Sequence, residues 1–101
     1  MAATYHLTIV TPQGLVFDAP VEALTAAGEL GRFGVLANHA PMLASLKAGF
    51  MKIRTPEEQY FAVGAGILEV GPDGAVNVLA DSVEKVDSKA AAIEQAAALA
   101  V

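Results

Sequence analysis

The chain has 101 residues, no cysteine and a net charge of −5 from 6 basic and 11 acidic residues, which excludes disulfide scaffolds and thiolate metal sites and argues against phosphate-neutralising nucleic-acid binders. Hydrophobic residues make up 54%, too many for intrinsic disorder, yet no uninterrupted apolar run approaches the roughly 20 residues of a membrane helix. The length suits one domain with a core that has little to spare.

Met1-Ala2-Ala3-Thr4-Tyr5-His6 lacks the basic and apolar regions of a signal peptide, and with the missing cysteines this points to a reducing cytoplasm. Tyr5 to Val10 alternates, with Tyr5, Leu7 and Ile9 on one face and His6 and Thr8 on the other, as in a half-buried strand. Thr11-Pro12-Gln13-Gly14 reads as a turn and Leu15-Val16-Phe17 as the return strand, broken by Asp18-Ala19-Pro20. Val21 to Ala27 is a further strand with weak alternation.

Next comes the stretch from Gly28 to Leu43, with glycine at 28, 31 and 34. It is too glycine-rich for a helix and too apolar for a disordered loop. Glycine within a strand-like run marks a bend or close backbone approach. The stretch therefore predicts a kinked strand ending in a shaped loop, Asn38-His39-Ala40-Pro41, that carries one imidazole.

Met42 to Leu46 and Phe50 to Arg54 are predicted strands, the second with Met51 and Ile53 inward and Lys52 and Arg54 outward. Thr55-Pro56-Glu57-Glu58 turns the chain. Gln59 to Val63 and Ile67 to Val70 are strands split by Gly64-Ala65-Gly66. Gly71-Pro72-Asp73-Gly74 is a turn before Ala75 to Ala80, where Val76 and Val78 share a face. Many short strands punctuated by Gly and Pro predict an antiparallel β-sandwich or flattened barrel over residues 1–84. Residues 85–101 are predicted to form a short C-terminal helix. Asp87-Ser88 caps it, and Ile93, Ala96, Ala97 and Ala100 make a small-residue stripe that must dock or fray.

Catalytic candidates are sparse. His39 is the leading catalytic candidate, but a general base or metal ligand needs acidic or histidine companions and the other histidine, His6, is on a distant strand, so His39 reads as a structural or interface residue. Gly64-Ala65-Gly66 follows a strand but precedes no helix, so it is a turn or bulge and not a dinucleotide loop. Ser45, Ser82 and Ser88 sit in no nucleophile elbow. A triad of Ser45, His39 and Asp81 exists only on paper. No acidic run fits a calcium loop, Glu57-Glu58 is a solvated turn, and Asp81 suits a hydrogen-bonding role where the sheet ends. No catalytic residue, metal, cofactor or nucleic acid is expected, and Lys47, Lys52 and Arg54 run straight into Glu57 and Glu58, leaving no patch for anionic lipid.

The blocks resemble the epsilon subunit of F-type, rotary ATP synthases. They are Thr4-Tyr5-His6-Leu7; Gly31, Phe33-Gly34-Val35-Leu36 and His39-Ala40-Pro41; Leu46-Lys47-Ala48-Gly49; Gly66-Ile67-Leu68-Glu69-Val70; and Val78-Leu79-Ala80-Asp81. Ala48 replaces the family's usual proline. The order and spacing of all five make the likeness specific over nearly the whole chain. It implies Gly31, Phe33, Gly34, Pro41, Gly66 and Asp81 as structural signature residues. It implies a non-catalytic central-stalk subunit that binds the gamma subunit, touches the c-ring and couples rotation to ATP synthesis. The catalytic alpha and beta subunits are further candidate partners. Such a subunit sits on the inner face of the energy-coupling membrane without inserting into it.

The resemblance turns the loop around Glu29, Arg32 and His39 toward the c-ring, although Arg32 stands where the family often carries an acidic residue. Family members usually continue into two inhibitory C-terminal helices; the given sequence has room for one, so a reduced or absent arm is expected, whether Val101 is the natural end or a cut one. Val86-Asp87-Ser88-Lys89-Ala90-Ala91 matches the spacing of the ATP motif of some members but puts Ala90 in place of its arginine, so no useful ATP binding is expected. The competing reading of the residues is a free-standing β-sandwich binding module with a concave apolar pocket. A small hydrolase using His39 ranks last.

Overall fold

Alternating apolar residues put one side of each strand into a shared core. The computed structural model describes residues 3–99. Ten strands form, in chain order: β1 (Tyr5–Thr11), β2 (Gly14–Val21), β3 (Ala23–Gly28), β4 (Gly31–Leu36), β5 (Met42–Leu46), β6 (Gly49–Arg54), β7 (Glu58–Val63), β8 (Gly66–Val70), β9 (Val76–Ala80) and β10 (Val83–Val86). One helix, α1 (Lys89–Leu99), follows.

The strands line up as β10-β7-β6-β3-β5-β8-β9-β1-β2, with β4 beside β3. All pairs are antiparallel except β1 with β9. This path folds into two layers, β4-β3-β6-β7-β10 and β5-β8-β9-β1-β2. Between them the ladder narrows to one pair, Gly28 with Leu46. The facing sides pack Leu7, Ile9, Val76 and Val78 against Leu24, Met51, Ile53 and Phe61, all buried. The Phe17 and Phe61 rings meet edge to face at 6.0 Å across the layers. The Tyr5 hydroxyl donates to the Val35 carbonyl at 2.7 Å, tying β1 to β4. The β-sandwich, or flattened barrel, expected from the sequence is the fold observed.

Four local readings need correction. Pro20 does not break the second strand: β2 runs on to Val21, pairing Pro20 with His6. It is the last strand in the order, and an edge strand tolerates a missing N–H. The glycine stretch is not one kinked strand. Glu29 and Leu30 form a two-residue turn between paired Gly28 and Gly31, so β3 and β4 are a hairpin. Gly31 sits at φ 132°, a conformation that a side chain disfavours.

The third correction is β10, which takes Lys85 and Val86 from the helix expected over residues 85–101, so that α1 starts at Lys89. Val83-Glu84-Lys85-Val86 has no alternation, but it pairs along β7 from Val63 to Tyr60. The fourth concerns the face of α1. The buried residues are Ala92 and Ala96, one turn apart, while Ile93 is 50% exposed and Ala97 is exposed. The helix lies on β6 and β7, where alanine permits closer approach than isoleucine. Ala100 of the expected stripe lies outside the described residues, as do Met1, Ala2 and Val101. The Ser88 side chain accepts from the Ala91 N–H at 3.1 Å, so the cap forms as expected.

Two measurements test this packing. A Cβ on Gly66 would lie 2.2 Å from the Leu79 carbonyl oxygen, whereas one on Gly34 meets nothing nearer than 3.6 Å. Gly66→Ala is therefore expected to cost about 1–3 kcal/mol in urea unfolding, and Gly34→Ala to stay within about 0.5 kcal/mol. Burial also pushes the Tyr5 hydroxyl well above the usual phenol range. Its proton is then held in the folded state but lost from the unfolded chain above about pH 10. Stability should fall there by up to about 1.4 kcal/mol per pH unit. Tyr5→Phe, at an initial cost of about 1 kcal/mol, should remove that component in urea unfolding from neutral pH to pH ~11.

Candidate functional site

Each of β1, β2, β5, β8 and β9 carries adjacent apolar residues: Ile9-Val10, Leu15-Val16, Met42-Leu43, Ile67-Leu68 and Val78-Leu79. A strand buries at most one face, so a neighbouring pair sends at least one apolar side chain outward, and in β2 both Leu15 and Val16 are exposed. Ile67 pairs with Leu79, Leu79 with Val10, and Val10 with Leu15, which sets these four in one row across the outer face of their layer. Ile67 is 44% exposed, Leu79 55% and Leu15 60%. Beside them Val10, Thr11, Pro12, Ala65, Gly66 and Asp81 help frame a shallow depression of about 480 Å³. Leu43 is exposed at the β5 side of this face. The row was missed in the strand-by-strand reading. Its signal is those broken alternations, and its assembly depends on register.

The turn at one end of the sandwich carries Glu29 and a fully exposed Leu30. Its base is held on the β5 side: the Glu29 N–H donates to Ser45 O, and the Lys47 N–H to Ala27 O, both at 3.0 Å. Arg32 lies just beyond the turn but folds back along the sheet. One guanidinium nitrogen donates to Phe50 O at 2.8 Å and another to Thr25 Oγ1 at 3.0 Å. The guanidinium carbon lies 3.6 Å from the centre of the Phe50 ring, and burial lowers its pKa from the usual range. His39 follows the far end of β4, a strand of six residues, with Nδ1 2.8 Å from Ala40 O. The structure thus brings Glu29 and Arg32 to one end and sets His39 toward the other.

The remaining signature residues are structural neighbours. A Cβ on Gly28 would meet the Phe33 ring at 2.9 Å, so that ring packs directly against the turn. Gly34 pairs with Thr25, and Pro41 immediately precedes β5. Asp81 occupies the space a Gly64 side chain would need, accepts from Ser82 Oγ at 3.3 Å, and donates its N–H to Ala65 O at 3.0 Å. Ser45 and His39 flank opposite ends of β5, so the paper triad is not assembled. Among the described residues, no three His, Asp or Glu side chains come together to hold a metal.

The family described as "ATP synthase, Delta/Epsilon chain, beta-sandwich domain" matches residues 4–86. The chain belongs to the ATP synthase delta/epsilon family. The ATP synthase epsilon chain of Nitrosococcus oceani is 40% identical over 102 residues, covering 99% of this chain and 69% of that protein. That of Acidithiobacillus ferridurans is 39% identical, covering 96% and 72%. As a chain of the delta/epsilon family it is an accessory subunit and not an enzyme with its own active site. Its fold matches a chain of the Euglena gracilis mitochondrial ATP synthase with TM-score 0.77 at 24% identity, covering 97% of this chain and 66% of that one. It also matches a chain in the central stalk and c-ring structure of the Tetrahymena thermophila enzyme with TM-score 0.71 at 19% identity, covering 82% and 67%. At those identities the likeness establishes the shared delta/epsilon fold.

The Arg32 contacts generate a prediction. Arg32→Ala removes two hydrogen bonds and a cation stacked on Phe50, and is expected to cost about 1–2 kcal/mol. Amide exchange should quicken along β4 and β6, which those contacts join.

Proposed function

We propose that the chain is a central-stalk subunit of a rotary ATP synthase, binding the gamma subunit through the outer apolar row and meeting the c-ring with the turn at Glu29 and Leu30. The observation that carries this reading, beyond family membership, is the row Ile67-Leu79-Val10-Leu15. Several exposed apolar side chains set side by side are a protein interface, since each gains about 25 cal/mol per Å² once water is removed. The row lies on rigid β-structure, which lowers the ordering cost of association. Its outward side chains are apolar, which suits the face to holding a partner.

Under this reading Arg32 does not make the ring contact. Its guanidinium is folded back along the sheet onto Phe50 and Thr25, away from the turn, and Glu29 with Leu30 takes that part. The subunit sits peripherally on the inner face of the energy-coupling membrane. No helix of the described residues is long and apolar enough to cross it. With Ala90 in place of the arginine of the ATP motif, the chain does not sense ATP through that motif.

Calorimetry with the purified cognate gamma subunit tests the reading. The unaltered chain should bind, and Ile67→Asp with Leu79→Asp should weaken binding by about 100-fold or more, roughly 2.7 kcal/mol, with circular dichroism unchanged. Unaltered affinity in the double variant would remove the row from the interface. Failure of the unaltered chain to bind gamma at all would remove the central-stalk reading and favour a free-standing module.

A further inference from the structure

The other outer face, on β4, β3, β6 and β7, differs in chemistry. Gly34 pairs with Thr25, Thr25 with Lys52, and Lys52 with Tyr60, so these four form a row across four strands. Gly34 contributes no side chain, which leaves a cleft of about 460 Å³ walled by Arg32, Phe33, Phe50 and Lys89. Three of the six basic residues of an acidic chain line it, and no acidic residue does.

Their pairing is incomplete. Lys52 reaches Glu58 at 3.4 Å, and Glu58 also lies 3.7 Å from Arg54. Among the described residues neither Arg32 nor Lys89 has a carboxylate within 4.0 Å. Arg32 is bonded only to the neutral Phe50 O and Thr25 Oγ1, and both cations lean on one aromatic ring, Arg32 at 3.6 Å and Lys89 at 5.4 Å from the centre of Phe50. A ring quadrupole offsets only part of a cation's charge. An arriving carboxylate would neutralise what remains in a partly desolvated place, where charge-assisted bonds are strong.

We infer that this cleft is a docking site for an acidic segment of a partner protein, whose carboxylates seat between Arg32, Lys52 and Lys89. The site is distinct from the apolar row, lies on the opposite layer, and does not depend on what that row binds. The donors favour a peptide over a free phosphate. Phosphate sites draw on clustered backbone N–H groups. Here the Ala91 N–H at the start of α1 is taken by Ser88, and the cleft offers long cations beside aromatic walls. Arginine, tyrosine and phenylalanine around a concavity are the composition of a protein-binding hot spot.

The test is an NMR titration of the isotope-labelled chain at low salt with a short Glu-rich peptide, the matching Gln-rich peptide, and inorganic phosphate. The Glu-rich peptide should shift the amides of Thr25, Gly34, Lys52 and Tyr60, and binding should weaken as salt rises. Arg32→Gln with Lys89→Gln should weaken it about tenfold or more, while Lys47→Gln with Lys85→Gln, outside the cleft, should leave it unchanged. Lys89→Glu, at an exposed position, gives the same reading without disturbing the sheet. The inference is overturned by shifts scattered over the surface, by equal binding of the Gln-rich peptide, or by undiminished binding in the Lys89→Glu variant. Phosphate alone reproducing the shifts at the same concentration would assign the cleft to a small anion and overturn the protein partner.

Discussion

Two layers of strands share a backbone connection only one residue pair wide, between Gly28 and Leu46. Hydrogen bonding along the ladder therefore cannot hold the layers face to face. Side chains must do it, among them Leu7, Ile9, Leu68, Val70, Val76 and Val78 from one side and Leu24, Val35, Met51, Ile53, Phe61 and Val63 from the other. The Tyr5 hydroxyl and the Phe17–Phe61 ring contact add the directional links. In a domain of this size these contacts leave little redundancy. The close approach of Gly66 to Leu79 belongs to the same economy, because it lets two strands meet where a methyl group would hold them apart.

With inner surfaces committed to the core, specificity falls to the two outer ones, and they are made differently. On β8, β9, β1 and β2 the outward positions carry Ile67, Leu79, Val10 and Leu15. On β4, β3, β6 and β7 they carry Gly34, Thr25, Lys52 and Tyr60, flanked by Arg32 and the start of α1. An apolar surface supplies affinity with little directional demand. A basic, aromatic one supplies charge selectivity and depends on salt. Both coexist because strand alternation separates inner from outer residues, so a surface can change without touching the core.

Much of the architecture was legible because alternation is local. Tyr5 to Val10, Met51 to Arg54 and Val76 to Val78 display it in a few residues, and the Gly71–Gly74 turn marks itself. What was not legible depended on distant partners. Val83–Val86 becomes a strand because β7 offers an open edge. Pro20 is tolerated because β2 happens to end the sheet. Ala92 rather than Ile93 is buried because of the surface α1 lands on. The same distinction holds at the surface. Gly31, Phe33 and Gly34 stand out by type and spacing, whereas the attachment of Arg32 to Phe50 spans 18 positions in the chain. The outer apolar row was within reach of the sequence as adjacent apolar pairs, but only register across several strands turns those pairs into a surface.

The turn at Glu29 and Leu30 has a mechanical consequence. Its base is fastened by the Glu29-to-Ser45 and Lys47-to-Ala27 bonds on either side of the Gly28–Leu46 pair. A sideways push on Leu30 therefore does not open these bonds one after another, as peeling a free hairpin would. It loads them together, in shear, and passes the strain to β5 and, through β5, to β8 and β9. The protrusion behaves as a short stiff lever set into the narrow seam between the layers. Stress applied at its tip reaches both halves of the sandwich at once.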